Sequence, residues 1–285
     1  MQPTSPTLPT FPLNNDRGKF VITAFNGGAL YVLAYYIVWG LHQGVKLGVS
    51  NYFHLRGNLD PSRLLFTMGD GEWWRTAIIA VHGIGPAGCL ALGGLTVWWF
   101  WASERAKRGN FKLLLLWITF HCYNLVFGAL LADTLLQTGF WYVTDWLFNQ
   151  GNAFNIMVAL LASLLQLGLG YFSAAAFLQA HDSKTVMRFL NRRRMIIFTL
   201  ILPWITGSIF IGLTKAPYFS LYEALHLVTM GLLVIPAAYG CLNELFSSTV
   251  RRPQLTRIAW GLVGLAVVVA VAWRLALSPP VSFGS

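Results

Sequence analysis

The chain has 285 residues, of which 56% are hydrophobic and only 11% charged, and its mean hydropathy is +0.58. A soluble domain carries about 25% charged residues, so there is too little polar surface here to cover a water-soluble globule, and much of the outside must face lipid. The formal charge of +10 sits in short loops between apolar segments, which argues for membrane orientation and against nucleic-acid binding.

Residues 1–18 are rich in Pro and Thr and lack the basic and apolar regions of a signal peptide, so they read as a disordered tail. The remainder reads as an all-α polytopic membrane helix bundle over 19–277, with a short C-terminal tail, 278–285. No polar block is long enough to form a separate soluble domain. A span needs roughly 20 apolar residues. Seven segments qualify, at about 19–44, 73–102, 112–136, 152–180, 194–214, 218–246 and 255–277. Asn26-Gly27-Gly28 is expected to interrupt the first. Pro203 and Gly207 predict a kink in the fifth, and Pro236 one in the sixth.

With this arrangement fourteen Lys and Arg residues fall on the side of the N-terminus and six on the other. The positive-inside rule then places the N-terminus in the cytoplasm of a cell with an inner (plasma) membrane. The run Arg192-Arg193-Arg194 reads as an anchor to anionic membrane lipids. The one long outer loop, about 45–72, carries the turn signature Arg56-Gly57-Asn58-Leu59-Asp60-Pro61 and is suited to docking a partner or covering a cavity. Cys89, Cys122 and Cys241 lie inside predicted helices with no CxxC spacing, so neither a disulfide framework nor a zinc ribbon is expected.

Ionisable residues within spans are costly and mark functional sites. They are His42, His82, His121, Asp133, Glu223 and His226, and all but His121 fall in the outer half of the bilayer. Glu223 and His226, three residues apart, share a helix face in a spacing that recurs among metal ligands of helix bundles. Taken singly, each histidine is satisfied by hydrogen bonding to a neighbouring helix, and Asp133 reads as a solvated helix end. Together, groups at one depth suggest a shared polar cavity.

The segment from Tyr35 to Gly57, an apolar helix followed by a His-centred motif and a Gly-containing turn, resembles the start of the site-2 protease family of intramembrane zinc metalloproteases. That family carries H-E-x-x-H there, two His facing one zinc and a Glu acting on its water. This chain has His42-Gln43-Gly44-Val45-Lys46: the base has become Gln43 and the second His ligand Lys46. Gly85-Pro86-Ala87-Gly88, followed by Gly93-Gly94, is similar to the family's Gly-Pro motif. The stretch Asn124 to Asp133 is similar to its N-x-x-P…L-D-G element, without the Pro residues or the final Gly. The resemblance covers about residues 30–135. It carries over two of the family's ligands, His42 and Asp133, and implies a degenerate core.

Three functions remain open on these observations. One is a non-catalytic pseudoenzyme serving as a binding or assembly subunit among other membrane proteins, docking through Gly27, Gly28, Gly93, Gly94, Gly168 and Gly170. Another is a membrane metal-dependent hydrolase with a relocated zinc or iron site, in which His82, Glu223 and His226 are completed by His42 or Asp133. The last is an electron carrier whose haem is held by His82 and His226. A transporter is weaker for want of repeat symmetry, and a retinal protein is disfavoured because span 255–277 holds no Lys.

Overall fold

The computed structural model describes residues 16–107, 109–184, 186–243, 246 and 255–284. Most of the tail expected over residues 1–18 lies outside them, as do Arg251 and Arg252.

Helix α1, Asp16–Tyr52, is 37 residues long and forms the axis of the bundle. At 1.5 Å per residue it is about 55 Å long, more than the roughly 30 Å hydrocarbon core. The expected interruption at Asn26-Gly27-Gly28 does not occur. Asn26 spends its side chain on a distant segment, donating to Arg257 O at 2.8 Å and accepting from Ala259 N at 2.9 Å. Gly27 lets Pro203 pack against the helix, since a Cβ there would stand 2.9 Å from the Pro203 ring. The chain then forms a hairpin of β1, Gly57–Leu59, and β2, Leu64–Phe66. Residues 45–52 of the expected outer loop are therefore helical, and Gly57 to Leu59 are strand. The turn falls at 60–63, where Asp60 Oδ1 accepts the backbone N–H groups of Ser62 and Arg63.

Helix α2, Arg75–Ala102, returns to the first side. Next come α3, Phe111–Tyr123, a π turn at Asn124–Gly128, and α4, Ala129–Leu136, forming one continuous span. A short amphipathic helix, α5, Trp141–Phe148, lies against α2 at the far side and was not anticipated from the sequence. Helix α6, Asn152–Gln179, crosses back. The fifth span comprises α7, Arg192–Ile196, a π turn at Ile197–Ile201 and α8, Leu202–Lys215. The irregularity expected near Pro203 is this π turn: proline has no N–H to donate to the preceding turn. The sixth span is α9, Leu221–Thr229, and α10, Gly231–Leu242.

Among the described residues, six helical spans are long and apolar enough to cross a membrane. The last helix, α11, Trp260–Ala276, has 17 residues, at the short end of what spans a bilayer. Its ends show that it traverses the bundle. It begins beside Asn26, near the start of α1, and ends where Trp273 Nε1 donates to Pro61 O. Beyond it the C-terminal tail is not free, because β3, Val281–Phe283, adds to β1 as a third, antiparallel strand. This end of the chain thus shares a side with the hairpin, opposite the start of α1. The fold is that of an integral, multi-pass α-helical membrane protein.

Small residues let helices approach closely, and several expected docking glycines are spent inside the chain. Gly93 receives Cys122 and Tyr123, and Gly170 receives the Leu233 backbone, whereas Gly94 and Gly168 face open space. The three cysteines are buried and free. Arg192 is buried and donates to Cys241 O at 3.0 Å, so it ties two spans together, while Arg193 and Arg194 are exposed.

Candidate functional site

Along α1, Tyr35, Trp39 and His42 follow one another at intervals of four and three residues, so they share a face. Their rings stack: Tyr35 on Trp39 at 5.7 Å and 13°, and Trp39 on His42 at 5.7 Å and 20°. All three are buried. The column is the wall on which the other polar groups meet.

On one side of it stands a buried ion pair. Lys215 at the end of α8 binds Glu223 near the start of α9, and both side chains are 1% exposed. The Tyr35 hydroxyl donates to the same Glu223 oxygen and accepts from Lys215 Nζ at 2.6 Å. The ammonium also sits 4.7 Å from the ring centroids of Tyr35 and Trp39, a cation–π setting that supports a charge removed from water. Ser220 caps α9 by accepting from Glu223 N, which fixes the register of that helix.

Around the other face of Trp39 stands His226, one turn after Glu223. Its Nε2 is 2.8 Å from Asp133 Oδ1. Asp133 is not the solvated helix end that its position suggests; it is 1% exposed and also accepts Phe140 N at 2.6 Å. The chain can turn there because Gln137 and Gly139 adopt left-handed backbone, φ +52° and +57°. At Gly139 a Cβ would collide with the Asp133 carboxylate. The backbone around His226 is held by Asn124 at the π turn, which donates to His226 O and accepts from Gln166 and Thr229. A π turn of this kind re-aims a side chain that a regular helix would point elsewhere.

His42 abuts α2 at Gly85, where a Cβ would stand 2.5 Å from His42 Nε2. The space beside Gly85 is thus filled by the protein's own imidazole. Gln43 and Lys46 are buried at 3% and 7% exposure. His121 lies further along, its Nε2 3.2 Å from Tyr31 O, with its ring between Tyr31 and Tyr35.

The five expected metal ligands, His42, Asp133, His82, Glu223 and His226, gather at one end of the bundle but do not converge on one point. His226 and Asp133 pair with each other. Glu223 is committed to Lys215 and Tyr35. His82 lines a different, aromatic pocket with Phe66, Trp73 and Tyr142. His226 lines a cavity of about 10 Å³ with Glu223, Trp39 and His121, so the two expected haem ligands face separate spaces. Among the described residues no three His, Cys, Asp or Glu side chains form a group that could hold a metal ion.

Both buried carboxylates of this region have a partner that carries or can carry positive charge. Glu223 meets the Lys215 ammonium and Asp133 meets the His226 imidazole. Desolvation of an unpaired ion costs several kcal/mol, so a buried cluster persists when its charges are matched. The sequence reading missed Lys215, counted there as a loop cation, and the supporting roles of Tyr35, Trp39, Asn124, Gln166 and Thr229.

Comparison of the chain with protein-family models, with curated proteins and with solved structures returns no match.

Proposed function

We propose that this is an inner-membrane protein with a cytoplasmic N-terminus, built on a degenerate site-2-protease-like core. On this reading it acts without proteolysis, as a binding or assembly subunit of a membrane complex. The orientation rests on the excess of basic residues on the side of the N-terminus.

The observation that carries the reading is Lys46. It stands, buried, where the resemblance would put the second histidine ligand. An ammonium has no lone pair with which to ligate a metal, and Asp133 is already held by His226 and by Phe140 N. A divalent ion placed beside Lys46 would meet a like charge in a low-dielectric setting. Gln43, in the place of the general base, cannot take up a proton. An assembly role is supported by Gly94 and Gly168, which present unfilled small-residue surface on α2 and α6, each flanked by exposed apolar side chains such as Leu90, Leu95, Leu164 and Leu165.

Elemental analysis of the purified chain, beside His42→Ala, tests this. The reading expects no stoichiometric metal in either. About one zinc or iron per chain, lost in His42→Ala, would overturn it in favour of a metalloenzyme.

A further inference from the structure

Apart from the charged cluster, the end of the bundle that carries the hairpin holds a second cavity, of about 370 Å³. This is within the roughly 300–1,000 Å³ of small-molecule sites. Its walls come from three places. Phe66 is on β2, and Met68 and Trp73 are on the connection that follows. His82 lies two turns into α2, and Tyr142 and Trp146 are on α5. The rings close on the histidine: Tyr142 at 5.2 Å between centroids, Trp73 at 6.0 Å and Phe66 at 6.2 Å.

Within this aromatic shell His82 Nδ1 is buried and has no protein partner. A buried nitrogen left without a hydrogen bond is unfavourable, and a ligand acceptor would satisfy it. The lining also selects the ligand's charge. None of the described lining residues is formally charged. An aromatic cage for a quaternary ammonium is disfavoured, because the lining offers no carboxylate to balance the cation. A carboxylate or phosphate would find no basic side chain in the lining. The chemistry left is a neutral, flat ring that stacks on indole and phenol faces and offers one acceptor oxygen.

The route of entry is the bilayer. Helix α5 turns Trp146, Leu147 and Phe148 outward at 39–46% exposure, the aromatic and apolar character of a membrane–water interface. We infer that this pocket binds the head ring of a lipophilic quinone-type molecule. His82 donates its Nδ1–H to a ring carbonyl, and the ligand's tail runs past α5 into the lipid. The inference concerns binding alone and is independent of the non-catalytic reading of the His42–Asp133 region.

The test is equilibrium binding of menadione, a small quinone, to the full chain in lipid nanodiscs, with empty nanodiscs as the partition control. The expected result is one saturable site per chain, weakened at least about tenfold in His82→Phe, which keeps a ring and removes the donor. Naphthalene, the same ring system without oxygens, should bind at least about tenfold more weakly than menadione. Should His82→Phe fail to fold, Trp146→Ala at the exposed lip carries the test, with binding weakened about threefold or more. Binding that is unchanged in these variants, naphthalene matching menadione, or benzyltrimethylammonium saturating the site where menadione does not, would overturn the inference.

Discussion

His226 and Asp133, 93 positions apart in sequence, meet at 2.8 Å inside the bundle and tie α9 to the end of α4. A hydrogen bond to a buried carboxylate is worth about 1.5–3 kcal/mol, and leaving the carboxylate unpaired costs more. His226→Ala is therefore expected to lower unfolding stability by about 3 kcal/mol, and Asp133→Asn by less, since an amide oxygen still accepts from Phe140 N. Equilibrium unfolding in mixed micelles reads both. A loss under about 0.5 kcal/mol for His226→Ala would mean that the pair is not a structural tie.

The Lys215–Glu223 pair behaves differently when broken and when replaced. Removing one partner leaves a buried charge uncompensated, at a cost of about 3–5 kcal/mol, whereas an apolar pair of similar volume is often near neutral. Lys215→Met and Glu223→Leu should each be strongly destabilising. The double variant should be far less so than the two losses combined, a non-additivity of about 2 kcal/mol or more. Additive losses would show that the two charges do not interact.

Position 85 sets the spacing of α1 and α2. Gly85→Ala puts a methyl within 2.5 Å of His42 Nε2, and overpacking of this kind costs about 1–3 kcal/mol. Gly94→Ala, at a position facing open space, should be neutral or slightly stabilising. Thermal unfolding of the two variants side by side checks the contrast, and equal midpoints would contradict it.

Much of this region was legible in the sequence as depth and periodicity. Charged and imidazole groups in apolar spans are few, and counting residues from the span ends places five of them at one level. The spacing of Tyr35, Trp39 and His42 marks one helix face. What could not be read is partner choice. Lys215 ends an apolar run and reads as a loop cation until Glu223, eight residues on, is seen to fold back onto it. Asn26-Gly27-Gly28 reads as a break because its compensations, Ala259 and Pro203, lie far along the chain. Helix α5 is too short, at eight residues, to show a period.

His181, outside the spans at the opposite end, gives the fold a pH dependence. Burial, and then the nearby Lys112 charge, push its pKa down from the usual 6.5 to about 4. Its ring packs on Phe177 at 4.9 Å and its Nε2 is buried without a partner. Between pH 6.5 and 4 the unfolded chain binds a proton here that the folded chain does not, so stability falls as pH drops through that window. The loss is about 2 kcal/mol by pH 5. Unfolding midpoints from pH 7.5 to 4.5 should fall for the wild type and fall less for His181→Phe. Parallel curves would remove His181 as the cause.

The most direct test of the central claim, that Gln43 and Lys46 in place of the resemblance's Glu and His leave no metal site, is zinc content after purification from zinc-supplemented medium. Wild type is compared with Gln43→Glu/Lys46→His, which writes H-E-x-x-H into residues 42–46. The account predicts a zinc-free wild type and about one zinc per chain in the double variant, because the substitution removes the ammonium and restores the second imidazole ligand. Stoichiometric zinc in the wild type, or a folded double variant that stays empty, would contradict it.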